Sequence, residues 1–196
     1  MTKVHPDAAL PDLDTPRCSG PPVVFTVWRK SLVFSCSGFT VFDAQGNLVF
    51  RVDNYASGSN SELVLMDAAG KPLLTVRRKK LSLGEKWSIY NGEEAVDPRF
   101  TVKKHVNLRQ AKAIAHVTPS RAGGGGGYEV EGSYARRSCC VYDEQRRTVA
   151  EIRQKEAVSG VAFGGEVFRL VVDSELEAGL AMAVVIVLDK MFGSRS

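Results

Sequence analysis

The chain has little of what a secreted, metal-built or catalytic protein needs. Its 196 residues include four cysteines, Cys18, Cys36, Cys139 and Cys140, and none lies in a Cys-x-x-Cys pair. Adjacent residues on a strand face opposite ways, so Cys139 and Cys140 are not expected to hold one metal ion between them. All four read as reduced thiols. No Asn-x-Ser/Thr acceptor occurs, and no apolar stretch with a basic flank opens the chain. Both absences point away from the secretory route and toward the cytosol or nucleus. Thr2 stands where N-myristoylation needs Gly, and the closing Ser194-Arg195-Ser196 carries no prenylation cysteine, so no lipid anchor is expected. Histidines number three, His5, His105 and His116, far apart in the sequence. With no Gly-x-Ser-x-Gly elbow, no His-x-x-x-His pair and no Cys/His grouping, nothing supports nucleophilic or metal chemistry. Neither an enzyme nor a cofactor is expected.

A dominant charge of one sign is also missing. Twenty-six Lys and Arg against 22 Asp and Glu leave a formal net charge of +4. That is far short of the density that would make nucleic acid the expected partner. Hydrophobic residues at 44% and charged residues at 24% are ordinary for one globular domain with a real core.

What is present is organised by proline, glycine and alternation. Residues 1–22 are spaced by Pro6, Pro11, Pro16, Pro21 and Pro22 and read as a flexible leader. From Val23 onward, short apolar or alternating runs recur between turn signals: Val23 to Trp28, Gly38 to Phe42, Leu48 to Asp53, Leu63 to Met66. Three turns repeat one unit. Phe39-Thr40-Val41-Phe42-Asp43-Ala44-Gln45-Gly46 aligns with Leu63-Val64-Leu65-Met66-Asp67-Ala68-Ala69-Gly70 and with Cys139-Cys140-Val141-Tyr142-Asp143-Glu144-Gln145-Arg146. In the first two, Asp binds backbone amides and Gly takes a positive φ, as short hairpin loops require. Arg146 stands where the third copy wants Gly, which leaves that loop's geometry open. Asp43, Asp67 and Asp143 are thus turn formers rather than calcium ligands.

Alternation assigns faces. Leu48, Phe50, Val52, Leu74, Val76, Ala150 and Ile152 face the core, while Arg51, Asp53, Thr75, Arg77, Glu151 and Arg153 face solvent. The pattern continues through Trp87 and Ile89, Phe100 and Val102, Tyr128 and Val130, and Phe168, Leu170 and Val172. Roughly a dozen strands follow, enough for a closed or nearly closed antiparallel barrel that hides its edges.

Residues 122–127 form a glycine-rich run without the Lys-Ser/Thr ending of a phosphate-binding loop, and read as a flexible loop. The last element differs in kind. Ser174 followed by Glu177 spells a capping box, and Ala178 to Leu188 carries no charged side chain before Asp189 and Lys190 close the run. A helix apolar on all sides must be surrounded. This one is about half the ~20 residues that span a bilayer, so protein surrounds it and it runs through the barrel's interior. The expected domain is residues 23–192, followed by a short tail, 193–196.

The best candidate for a ligand surface is the cluster Arg77, Arg78, Lys79 and Lys80, with Lys103 and Lys104 on a later strand and Arg136-Arg137 on another turn. Cations so placed suit anionic phospholipid, each contributing roughly 1 kcal/mol near an anionic leaflet. The alternative is a solvated strand end whose charge blocks aggregation.

Several motifs carry a resemblance. Thr26-Val27-Trp28-Arg29-Lys30-Ser31-Leu32, then Gly38 to Asp43, Gly46 to Tyr55, Leu74 to Leu83 with Trp87, Gly132-Ser133-Tyr134 before Arg137-Ser138-Cys139, and Ala183 to Asp189 together resemble the plant LURP-one-related family. The likeness covers nearly everything from Val23 to Met191. That family is similar to the tubby C-terminal domain and to phospholipid scramblases, which implies a twelve-stranded barrel around a central hydrophobic helix. The resemblance implies a protein that binds phosphoinositides or other anionic phospholipid at a membrane and can release to the nucleus, in a setting of plant defence; a monomer is expected. A protein-interaction scaffold, meeting an unidentified signalling protein without lipid, is the alternative. The cysteine-rich acylation segment of scramblases has no counterpart, so lipid translocation is not expected.

Overall fold

The computed structural model describes residues 20–32, 37–54, 61–79, 84–94, 96–105, 112–121, 126–155 and 165–193. Residues 1–19 of the leader with Cys18, then Cys36, Lys80, positions 122–125 of the glycine-rich run and the tail beyond Gly193 lie outside them.

Twelve strands and one helix follow one another in the chain: β1 Val23–Trp28, β2 Ser37–Phe42, β3 Leu48–Asn54, β4 Glu62–Asp67, β5 Pro72–Arg78, β6 Lys86–Asn91, β7 Phe100–Lys104, β8 Ala113–Pro119, β9 Tyr128–Ser133, β10 Ser138–Tyr142, β11 Thr148–Gln154, β12 Val167–Val172 and α1 Ala178–Phe192. Each strand pairs antiparallel with its neighbours in sequence, and β1 pairs with β12 to close the barrel. Closure leaves no sheet edge to recruit another chain. The expected architecture of a closed barrel of about twelve strands is the one observed.

Alternation produces the core. Phe50, Val52, Leu74, Val76, Trp87, Ile89, Phe100, Val102, Ala150, Ile152, Phe168, Leu170 and Val172 all point inward and are buried. Tyr128 is half-buried and packs on the rim of this core. Two outward residues depart from the expected solvent face. Asp53 is buried because Ser31 covers it, the Ser31 hydroxyl donating to Asp53 Oδ1 at 2.5 Å while Arg51 reaches Oδ2 at 2.7 Å. Thr75 is fully buried and donates to the carbonyl of Gly92 at 2.7 Å.

The three repeated turns share one geometry. A register shift falls just before each, between Val41 and Phe42, Leu65 and Met66, and Val141 and Tyr142. The amides of Asp43, Asp67 and Asp143 then donate to the carbonyls of Asn47, Lys71 and Arg147, each at 3.0 Å. Each Asp side chain accepts the amide four residues on, at 2.8 Å in all three. Gly46 and Gly70 take φ of 86° and 89°, as a type I turn closed by a left-handed residue demands. Arg146 adopts the same conformation, φ 63°, without glycine's freedom. Its guanidinium offsets that cost by gripping Glu129 at 2.7 Å and Glu131 at 2.9 Å and lying 4.4 Å from the Tyr142 ring.

Helix α1 fills the barrel. Every residue from Gly179 to Leu188 is buried, which leaves the helix no polar face. A helix meets all its central backbone hydrogen bonds internally, so an apolar interior can hold it without orphaned amides. A twelve-stranded barrel is wide enough for one, where about eight strands enclose only side chains. The β-branched run Val184 to Val187 is tolerated because packing outweighs local propensity.

Both ends of the helix correct the sequence expectation. Ser174 is no cap, since it belongs to a separate turn in which Asp173 accepts the amides of Leu176 and Glu175. Glu177 holds the N-cap position without a side-chain cap bond and pairs instead with Arg99 at 2.5 Å. Asp189 and Lys190 do not end the helix. It continues to Phe192, because the Asp189 carboxylate finds Arg29 Nε at 2.9 Å and the Tyr134 hydroxyl at 3.2 Å.

Candidate functional site

Strand direction sorts the loops onto two rims. The three Asp turns, the segment after Val172 and the start of α1 share one rim, and the C-terminal end of α1 emerges at the other. The chemistry of the two differs. Around the helix-start rim lie Asp43, Asp67, Asp97, Asp143, Glu144, Asp173, Glu175 and Glu177. At the helix-end rim stand Lys30, Arg78, Lys79, Lys86, Lys103, Lys112 and Arg136, with Glu62, Glu85, Glu166 and Asp189 as the described exposed or partly exposed carboxylates. The helix-start rim also carries Lys71, Arg99, Arg121, Arg146 and Arg147, so among the described residues carboxylates outnumber cations there, and cations outnumber carboxylates at the other rim.

Within the basic rim the structure separates charges already matched from charges still open. Arg77 is matched, its guanidinium 2.5 Å from Glu62 and 5.9 Å from the Tyr90 ring centroid. Lys104 is structural: its ammonium reaches Glu85 at 3.4 Å and the Met191 carbonyl at 3.0 Å, and sits 4.5 Å from the Phe192 ring, securing the end of α1. Arg78, Lys79 and Lys103 are exposed, and among the described residues none has a carboxylate partner. Arg137, grouped with this cluster on sequence grounds, is buried. Its guanidinium lies between Tyr134 at 4.2 Å and Phe168 at 4.4 Å, and its Nε donates to the Gly165 carbonyl at 2.9 Å.

One cation escaped sequence reasoning. Lys86 is the direct cross-strand partner of Lys103, and the amide of Lys79 donates to the Lys86 carbonyl at 2.9 Å. Lys79, just past the end of β5, thus forms a row with Lys86 on β6 and Lys103 on β7. Like charges directly opposite on antiparallel strands repel, and no carboxylate among the described residues relieves this pair. Only the strand register reveals the row, because Lys86 precedes Trp87 with no basic neighbour of its own.

From that row a groove of about 420 Å³ runs down the outer wall, lined by Lys86, Lys103, Thr101, Thr118, Ser120 and two prolines. Thr101 Oγ1 and Ser120 Oγ lie 3.4 Å apart, placing hydroxyl donors beside two ammonium groups. Such a set of donors suits an oxyanion.

Apolar side chains frame the same rim. Trp28 ends β1 and is 46% exposed, and Leu32, four residues on, is 55% exposed. No helix among the described residues is long and apolar enough to cross a membrane; α1 would span about 22 Å at the usual rise.

A closed twelve-stranded barrel that encloses its own C-terminal helix defines the fold class. The family model described as LURP-one-related matches residues 23–189. LURP-one-related 8 of Arabidopsis thaliana is 50% identical, over 99% of this chain and all of that protein. LURP-one-related 17 of the same plant is 41% identical, over 85% of this chain and 82% of that one. The crystal structure of another Arabidopsis thaliana protein superposes with a TM-score of 0.64 at 23% identity, covering 89% of this chain and 94% of that one, a likeness of fold. The chain belongs to the LURP-one-related family.

Proposed function

We propose that the protein is a peripheral membrane module that binds anionic phospholipid headgroups, phosphoinositides among them, at its basic rim. The observation that carries this reading is the row Lys79, Lys86 and Lys103, cations set side by side without carboxylate partners among the described residues. Arg78, exposed at the end of β5, adds to the charge of the rim, and Trp28 and Leu32 supply apolar and aromatic side chains of the kind that settle at a membrane interface. Arg77 and Lys104 contribute to the local field but are held by Glu62 and Glu85. The role is binding rather than catalysis, in the cytoplasm with exchange to the plasma membrane or nucleus. Plant defence or stress signalling is the setting that the family resemblance suggests.

Flotation with vesicles of neutral lipid, of phosphatidylserine and of phosphoinositide, at two salt concentrations, tests it. Recovery on anionic vesicles is expected to exceed that on neutral ones and to fall with salt. Reversing Lys86 and Lys103 to Glu is expected to weaken binding by at least about tenfold, since each cation contributes ~1 kcal/mol. Equal recovery on neutral vesicles, or full binding by the reversed variant, removes the reading. The exposed Val23, Val24 and Trp28 of β1 favour a second reading, a protein-interaction scaffold. A partner retained by the reversed variant in a pull-down would support it.

A further inference from the structure

His105 and His116 are eleven residues apart in the chain and meet on the outer wall of the barrel. Antiparallel pairing brings them together. The His105 amide donates to the Ile114 carbonyl at 2.9 Å as β7 ends, and His116 on β8 lies opposite Lys103. His116 Nε2 is 3.1 Å from His105 Nδ1, with the ring planes at 69°. Behind His116, its Nδ1 faces Glu129 Oε2 at 3.6 Å, and Glu129 Oε1 is held by Arg146 at 2.7 Å.

This arrangement limits where the ring protons can sit. A carboxylate only accepts, so Glu129 favours the His116 tautomer with its proton on Nδ1, and the Nε2 lone pair points at His105. His105 has two neutral choices. With its proton on Nδ1 it donates to His116. With the proton on Nε2 instead, two imidazole lone pairs face each other and no proton lies between them. Two nitrogens bound to one tetrahedral ion at ~2.0–2.1 Å sit about 3.3–3.4 Å apart with the ion beside the line joining them, so the rings need to part by a few tenths of an ångström and each turn by roughly 35°. A carboxylate behind a metal-bound imidazole is a recurring supporting arrangement.

We propose that His105 Nδ1 and His116 Nε2 form a two-imidazole site for a divalent transition-metal ion of the zinc or copper type, with Glu129 orienting His116 and water completing the coordination. Borderline ions of this kind prefer imidazole. Among the described residues no third His, Cys, Asp or Glu joins the pair, so the ion is held reversibly rather than locked into the fold. Lys103, across from His116, opposes a cation; Glu129 and Glu131 favour one, and Arg146 is engaged with both. Binding exchanges one neutral tautomer of His105 for the other and needs no net proton release.

The test is a zinc titration of the full ¹⁵N-labelled chain, read from the ring nitrogens of its three histidines. The expected result is that His105 Nδ1 and His116 Nε2 shift together to metal-bound positions at one ion per chain while His5 stays unchanged. His105→Asn and His116→Asn should each abolish the response at the other ring, with unchanged melting showing an intact fold. Glu129→Gln should weaken zinc binding by about 10–100-fold. Rings that do not move in the unaltered protein, or a zinc response that persists in either Asn variant, would overturn the site.

Discussion

Replacing Asp189 with Ala should destabilise the fold by about 2–3 kcal/mol, and the structure shows where that figure comes from. The carboxylate is only 10% exposed and accepts from Arg29 Nε at 2.9 Å and from the Tyr134 hydroxyl at 3.2 Å. Removing one member of a fully buried pair costs about 3–5 kcal/mol, because the remaining charge is stranded. Arg29 is 22% exposed and keeps Glu166 at 3.3 Å, which lowers the cost toward 2 kcal/mol. Losing the acceptor for buried Tyr134 adds roughly 1 kcal/mol. A carboxylate in the last turn of a helix opposes the macrodipole, and deleting it returns about 0.3–1 kcal/mol. Urea unfolding at neutral pH measures the difference as a lower midpoint at unchanged slope. Asp189→Asn, which preserves an acceptor for Tyr134, should lose less. In a double-mutant cycle with Arg29→Met, the coupling should reach at least about 1 kcal/mol. Additive single losses, or a destabilisation by Asp189→Ala below about 0.5 kcal/mol, would refute the claim that this pair secures the helix end.

Further consequences follow from the same geometry. Gly179→Ala should stabilise by up to about 1 kcal/mol in thermal or urea unfolding. A methyl there meets only Glu177 Oε1 at 3.4 Å and Leu74 Cδ1 at 3.7 Å. Gly132→Ala should cost about 2–4 kcal/mol, since φ is +107° and the added carbon would fall 2.2 Å from the Ser138 carbonyl oxygen. In a Cys18→Ser, Cys36→Ser background, half-buried Cys140 should alkylate in the native state while Cys139 waits for unfolding. Burial first, and then the neighbouring Cys140, push the Cys139 thiol up to about 12. Because the folded state holds that proton more tightly, Cys139's contribution to stability is intact below its ordinary 9.0. It is lost as pH rises from there toward about 12, a decline that Cys139→Ala should flatten.

Most of the barrel is legible because alternation is a local signal. Val76, Ile89 and Val102 announce their inward face whatever strand lies beside them. The Asp turns are equally local, and Arg146 shows how a distant partner rescues a poor turn residue. What escaped the sequence depends on register and closure. Asp53 is buried by a serine 22 residues earlier, and Lys104 is tied to a carbonyl 87 residues later. Lys86 gains meaning only opposite Lys103, and His105 only against His116. The apparent cap at Ser174 matched the motif, but a turn led by Asp173 claimed those residues first.

The order of elements has a consequence for synthesis. Helix α1 is encoded after all twelve strands, and β1 meets its closing partner β12 only shortly before α1 emerges. A ribosome that has delivered the eleventh strand holds an open, greasy sheet with two raw borders and nothing to wrap around. Productive folding must wait for α1, so the nascent protein should lean on chaperones until that helix has emerged, and stops ahead of it should yield clumping fragments rather than a partly working product.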